Sequence, residues 1–154
     1  IENVHTKEVS TEFGEFRLDV WRDVIFDEHH FSLTKGSPEK ADVPMVRVQT
    51  QSVLQDTLGI DEIGKKWSIR KSLQKISDEG TGVFVLINHR DAKTYWLSSL
   101  KDENIEPKRN RRVIGIGSQI LRSLGLNRIN VLGTPTKYSG LSGFNIEIEG
   151  FIDE

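Results

Sequence analysis

The sequence predicts an α/β fold of the α+β kind, in which a mixed sheet has an antiparallel N-terminal section and a partly parallel C-terminal section with helices packed on it. Two observations favour this class. Strand-like segments that alternate polar and apolar residues fill the first third, whereas residues 67–132 alternate amphipathic helical segments with short apolar runs. Strands joined by short turns pair antiparallel, and strands joined through helices pair parallel.

The first third predicts four strands. Residues Val4–Val9 and Phe16–Trp21 alternate in character and are separated by a glycine-containing turn, which is typical of a hairpin. Phe31–Thr34 and Val43–Val48 are two more strand candidates, and the Gly36 and Pro38 between them indicate a loop. This part of the chain is therefore predicted to be mostly antiparallel.

A helix is predicted from Trp67 onward. Ile69, Leu73 and Ile76 recur at intervals of four and three residues, so they share one face of a helix. Gly80 is placed to end that helix, since glycine adopts the left-handed conformation found after many helix ends.

The remaining elements alternate between strand and helix. Gly82–Ile87 is continuously apolar and rich in β-branched and aromatic residues, which predicts a strand covered on both faces at the centre of the sheet. An apolar stripe over Val113–Leu124 predicts a second helix that closes at Gly125, and Ile129–Leu132 and Phe144–Ile148 predict two short strands.

Length and charge restrict the class of protein. The 154 residues, 36% of them hydrophobic and 29% charged, suit one globular domain, so residues 1–154 are predicted to form a single domain. A formal net charge of −2 argues against a general nucleic-acid binder. Neither an apolar run of about 20 residues nor a signal peptide is present, which favours a cytoplasmic location. The chain opens at Ile1 within a predicted strand, and we expect it to be excised from a longer polypeptide.

Four segments, in this order along the chain, carry a family resemblance. They are Thr11–Phe16 (T-x-x-G-x-F), Val46–Ser52 (similar to R-V-H-S-E-C), Glu79–Val83 (G-x-G-V) and Gly115–Gly125 (G-I-G-x-Q-I-L-x-x-L-G). Together they span nearly the whole chain and resemble GTP cyclohydrolase II, a family of riboflavin biosynthesis. The helix segment is the most specific of the four.

The resemblance implies zinc chemistry that this sequence cannot supply. In the family three cysteine thiolates hold a zinc ion, and a zinc-bound water attacks C8 of the guanine. This chain has no cysteine: Ser52 stands at the first ligand position, and Asp61–Lys66 replaces the segment with the other two. A serine hydroxyl stays protonated at neutral pH and is a poor zinc ligand. The four histidines show no paired ligand spacing, and adjacent His29 and His30 would point to opposite faces of a strand. We therefore predict no metal site and no cofactor for this domain.

The phosphate-binding segments of the family are also altered. Asn88–Lys93 lacks the glycines that would let backbone amides approach a triphosphate. Arg112 matches the arginine proposed as the family nucleophile toward the α-phosphate, whereas Asn110 replaces the aspartate that would activate it. Lys137 keeps a phosphate-facing lysine, and Tyr95 has no assigned counterpart. We predict no catalytic residues, with Arg112 and Lys137 as candidate residual phosphate contacts.

Two features have a plain alternative. The basic run Lys108–Arg112 is either a remnant anion site or solvated surface, and short charge runs in loops favour the second. Trp21, Trp67 and Trp96 are interpreted as core or interface anchors rather than platforms for stacking bases.

The resemblance also implies partners. In many bacteria this domain follows 3,4-dihydroxy-2-butanone 4-phosphate synthase in one chain, with residues Ile1–Glu8 resembling the junction. The first hypothesis is therefore a structural or regulatory domain for a fused synthase, working as a homodimer, with Mg²⁺ belonging only to the synthase part. The alternative is a hydrolase that acts on a nucleotide without the usual zinc site. A third class, an RNA binder, is disfavoured by the net charge.

Overall fold

The computed structural model describes residues 1–60, 67–88, 97, 100, 107–133 and 145–153, with residues 107–112 described by their backbone alone. These residues form one seven-stranded sheet in the order β1-β2-β3-β5-β4-β6-β7. Its strands are β1 (Glu2–Thr11), β2 (Gly14–Asp23), β3 (Glu28–Lys35), β4 (Met45–Thr50), β5 (Gly82–Ile87), β6 (Arg128–Leu132) and β7 (Glu147–Ile152). The helices are α1 (Ile69–Glu79) and α2 (Pro107–Ser123), with a 3-10 turn at Pro38–Lys40 and a π-helical turn at Val53–Thr57.

The sheet is mixed as predicted. Strands β1, β2 and β3 pair antiparallel with one another, and β3 continues antiparallel onto β5. Strands β5, β4, β6 and β7 pair parallel. The predicted fold class is therefore confirmed, and β5 lies in the middle of the sheet order, where its apolar run indicated.

The two helices cover opposite faces of the sheet. Along β5, Val83, Val85 and Ile87 pack in one core with α2, whereas Phe84 packs in the other core with residues of α1. Alternation along a strand directs successive side chains to opposite faces, so a continuous apolar run is buried on both sides.

Helix α1 has the ends that its sequence predicts. The side chain of Ser68 accepts a hydrogen bond from the backbone N–H of Lys71, and Gly80 follows the helix with φ of +80°. The buried residues Leu73 and Ile76 lie on its predicted apolar face. Local sequence alone therefore determines this element.

Several predicted boundaries differ from the structure, and three of them have a local explanation. Strand β4 begins at Met45 rather than Val43, because Pro44 has no backbone N–H to donate to a neighbouring strand. Strand β7 begins at Glu147, after Asn145 adopts the left-handed conformation with φ of +64°. Helix α2 begins at Pro107, six residues before the predicted start, and proline is favoured in the first turn of a helix.

Helix α2 approaches the sheet closely at Gly117. A Cβ atom placed there would lie 3.0 Å from Cγ1 of Val48 on β4, so glycine allows the helix to pack on that strand. The indole N–H of Trp21 donates to Ser32 Oγ, and that of Trp67 donates to the carbonyl of Ile152. Both rings are buried, which confirms their prediction as core anchors, while Trp96 lies outside the described residues. No helix in the described ranges combines the length and hydropathy that a membrane span requires.

Candidate functional site

The candidate site lies at the edge of the sheet where the parallel strands end. Strands β4, β5 and β6 run in one direction and end at Thr50, Ile87 and Leu132. Ser52 and the segments beginning at Asn88 and Gly133 follow these ends directly. In open α/β sheets, ligands bind at this carboxyl edge. The fold therefore brings together the strand ends that precede the three segments in which the sequence analysis placed altered zinc and phosphate positions.

Ser52 has a structural role at this edge. Its side chain is buried, and its Oγ accepts a hydrogen bond from the backbone N–H of Gln55 at 3.3 Å. Its own N–H donates to Oδ2 of Asp56 at 2.8 Å. These contacts cap the π-helical turn Val53–Thr57 from its N-terminal end. The hydroxyl of Ser52, which the sequence analysis singled out as a replaced zinc ligand, therefore holds a turn of the backbone.

Arg47 supports the same edge from within the sheet. Its guanidinium is buried and donates to Gln49 Oε1 at 3.2 Å, to the carbonyl of Leu132 at 2.9 Å and to the carbonyl of Trp67 at 3.1 Å. One side chain of β4 thus connects the end of β6 to the segment that enters α1. A buried charge is costly unless its donors are satisfied, so these contacts fix the relative positions of the three segments.

Two buried polar atoms remain near Ser52. Gln49 Nε2 and Asp56 Oδ1 have no hydrogen-bond partner among residues 1–60, 67–88, 107–133 and 145–153. Most buried polar atoms in proteins are satisfied by protein, water or ligand. The end of β4 thus retains a donor and an acceptor that a polar ligand or a water could use.

The basic run at the start of α2 is helical and does not form the loop that was expected. Lys108–Arg112 occupies the first turns of α2, which has no acidic residue in its first turn. Because β5 leads through α2 to the parallel strand β6, the N-terminus of α2 lies at the carboxyl edge of the sheet. Unpaired N–H groups and the helix dipole favour an anion at such an end. Asn110 and Arg112 are therefore in α2, but their side chains lie outside the described residues.

Several other positions singled out in the sequence cannot be placed. Lys137, Tyr95, His89 and the segment Asp61–Lys66 lie outside the described residues. In the sequence these positions follow β6, β5 and β4, whose described carboxyl ends lie at one edge of the sheet.

The hairpin between β2 and β3 contains a cluster that sequence patterns did not reveal. Asp23, Glu28 and His30 each place a potential metal-ligand atom within 4.8 Å of the others. Asp23 pairs with Glu28 across the hairpin, and His30 lies two residues along β3. As predicted, neighbouring His29 and His30 face opposite sides, the first exposed and the second buried. In the sequence, the signal for this cluster would have been the pairing of acidic residues across a four-residue turn.

The tautomer of His30 disfavours a cation in that cluster. Its Nδ1 accepts a hydrogen bond from the backbone N–H of Asn88 at 3.0 Å. A neutral imidazole that accepts at Nδ1 carries its proton on Nε2, which makes Nε2 a donor and not a metal ligand. The ring therefore links β3 to Asn88, the residue that follows β5.

Comparison with known proteins identifies the family. The GTP cyclohydrolase II family model matches residues 2–153. The chain belongs to the GTP cyclohydrolase II family. The resemblance read from the four sequence segments is thereby confirmed.

Over the aligned stretches, curated relatives are about 30% identical to this chain. A 3,4-dihydroxy-2-butanone 4-phosphate synthase of Pseudomonas aeruginosa is 28% identical over 99% of this chain and 43% of its own length. One from Neisseria meningitidis serogroup A is 31% identical over 98% of this chain and 42% of its own. The riboflavin biosynthesis protein RibBA of Cytophaga hutchinsonii is 30% identical over 92% of this chain and 38% of its own. The chain thus spans about two fifths of the length of these relatives.

A solved structure shows the same fold. The crystal structure of RibBX, described as a two-domain 3,4-dihydroxy-2-butanone 4-phosphate synthase from A. baumannii, superposes with a TM-score of 0.70 and 25% sequence identity. The match covers 99% of this chain and 40% of that one. The family fold therefore accounts for the whole described sheet.

The capping role of Ser52 gives a direct prediction. We expect Ser52→Ala to lower the free energy of unfolding by about 1 kcal/mol, because the partly buried backbone N–H of Gln55 loses its acceptor. The control is Ser123→Ala, an exposed hydroxyl that only donates to the carbonyl of Gln119, with an expected change within about 0.5 kcal/mol. Urea denaturation followed by circular dichroism measures both. Equal losses for the two variants would contradict the capping role.

Proposed function

We propose that this GTP cyclohydrolase II-like domain has lost zinc-dependent GTP hydrolysis and serves a structural or regulatory role for a fused 3,4-dihydroxy-2-butanone 4-phosphate synthase domain. The main support for the loss of zinc-dependent hydrolysis is the contact made by Ser52. Its hydroxyl caps a helical turn at the position where the family has a zinc thiolate, in a chain without cysteine. A serine hydroxyl does not fit a catalytic zinc site, in which three protein ligands of the thiolate, imidazole or carboxylate type hold the ion.

The well-packed cores support the proposed structural or regulatory role. Both cores are filled by fully buried residues, such as Ile76 on α1 and Ile120 on α2. Arg47 retains its buried contacts at the carboxyl edge. The fold is thus maintained where the metal and phosphate positions are not. Because two relatives that the chain matches almost fully are named as the synthase and are more than twice its length, a fused synthase domain is the partner we propose.

Loss of zinc chemistry is tested by metal analysis and product detection. We expect the purified chain to hold no stoichiometric zinc and to release no formate from GTP above a boiled control. A cysteine-containing member of the family provides the positive control. Ser52→Cys should also remain without zinc, because one thiolate cannot hold the ion without further ligands. About one tightly held zinc per chain, together with formate production, would refute the proposal.

Residual anion binding is the next part of the proposal. We propose that Arg112 and Lys137 contact a phosphate group, since the basic first turns of α2 lie at the carboxyl edge. Arg112→Ala and Lys137→Ala should each weaken the binding of pyrophosphate by about tenfold, because a charged hydrogen-bond donor is lost. Arg70→Ala, an exposed arginine on α1, is the charge-matched control and should have no effect. Calorimetry in which all three variants behave alike would count against the site.

The supporting role is tested in the fused polypeptide. Deleting residues 1–154 should lower the rate of the synthase, its melting temperature or its oligomeric state, and adding the folded chain back should restore part of the loss. Heat-denatured chain is the control for the addition. If rate, melting temperature and oligomeric state all stayed the same after deletion, the supporting role would be wrong.

A further inference from the structure

Exposed apolar side chains collect at one end of the β1–β2–β3 section. Val24, Ile25 and Phe26 form the turn between β2 and β3, and they are 52%, 82% and 47% exposed. We call these three residues the hairpin tip. Contiguous exposed apolar residues can mark an interaction site when they form a sufficiently large patch.

The hairpin tip is held in a defined conformation by polar contacts. Oδ1 of Asp23 accepts hydrogen bonds from the backbone N–H groups of Ile25 at 2.9 Å and Phe26 at 3.5 Å. Asp27 adopts the left-handed conformation with φ of +52° and accepts a hydrogen bond from Nε of Arg22 at 2.8 Å. That contact raises the pKa of the Arg22 guanidinium, which stays charged. Presenting apolar side chains in a fixed turn lowers the entropy cost of binding a partner.

The start of β1 lies beside the hairpin tip. Glu2 pairs with Arg22 in the sheet register, and Nη1 of Arg22 also donates to Oε1 of Glu2 at 3.2 Å. Val4 forms a bulge in the same part of β1 and is 44% exposed. Ile1 packs against the core under α2. Any domain that precedes Ile1 would therefore be tethered next to this apolar surface.

We propose that the hairpin tip, with Val4 beside it, is the docking surface for the synthase domain of the fused polypeptide. This inference rests on the proposed function. Its occupant is chosen for two reasons: the matched relatives extend well beyond this domain, and the tether begins at the patch. A short tether gives its domain a high effective concentration at nearby surfaces, so a small apolar patch suffices for contact.

The same surface reaches the carboxyl edge of the sheet. Phe31 pairs with Leu86, so Glu28 and the hairpin tip lie beyond the end of β5. His30 accepts a hydrogen bond from Asn88, the first residue after that strand. A domain docked on the hairpin tip would thus adjoin the end of β5 and Asn88.

Thiol labelling in the fused polypeptide tests the contact. Because residues 1–154 contain no cysteine, Ile25→Cys and Leu58→Cys each introduce one thiol into this domain, and Leu58 is an exposed apolar control at 64%. N-ethylmaleimide labelling is followed by mass spectrometry of the peptides from this domain. We expect Ile25→Cys to react about tenfold more slowly than Leu58→Cys in the native polypeptide and equally fast in urea.

Hydroxyl-radical footprinting of the unsubstituted polypeptide covers the case in which Ile25→Cys itself disturbs docking. Oxidation of Ile25 and Phe26 should fall relative to the chain of residues 1–154 alone, while oxidation of Leu58 should not change. Equal labelling of the two thiols together with unchanged footprints would overturn the inference. Protection that disappears when the polypeptide is diluted would also overturn it, because the occupant would then be a second copy.

The labelling experiment and the deletion experiment can fail independently. If deletion of residues 1–154 harms the synthase but the hairpin tip is fully reactive, only the docking surface is wrong. If the hairpin tip is protected but deletion has no effect, the contact stands and the supporting role is wrong.

Discussion

The structure depends most on the buried guanidinium of Arg47. From the middle of β4 it reaches the carbonyl of Leu132 at the end of β6 and the carbonyl of Trp67 before α1. These two acceptors lie 85 and 20 residues away along the chain, so one side chain sets how the parallel strands and the first helix meet. A charge buried this deeply favours the single arrangement that satisfies its donors, and the carboxyl edge is built on that arrangement.

Polar side chains at the carboxyl edge mainly hold the backbone in place. The hydroxyl of Ser52 caps a helical turn, and the carboxylate of Asp56 in that turn accepts a hydrogen bond from the backbone N–H of Ser52. Such contacts stabilise the fold without any chemistry of their own. Gln49 Nε2 and Asp56 Oδ1 nevertheless stay buried without a hydrogen-bond partner among the described residues. This leaves one donor and one acceptor at the carboxyl edge, where α/β sheets bind ligands.

The antiparallel section extends away from the α/β part and has a different surface. Most of β1 is exposed, and β1 is an edge strand, so its surface is available for contact with another chain or domain. Charged residues along β1 oppose nonspecific pairing at that edge, whereas the hairpin tip presents apolar side chains in a fixed turn. The two halves of the sheet thus present different surfaces, a polar carboxyl edge in the parallel section and an exposed apolar turn in the antiparallel section.

The sequence by itself determined the element types, the mixed sheet, the central strand and the family, because hydrophobic periodicity and short motifs act over a few neighbouring residues. It singled out Ser52, Arg112 and Lys137 through the family resemblance. Only the tertiary structure decided that Ser52 caps a turn, that Asp23, Glu28 and His30 meet, and that Val24–Phe26 lies exposed beside the chain's first strand. Those facts depend on strand order and register, which bring together residues far apart in the sequence and are set by the packing of the whole sheet.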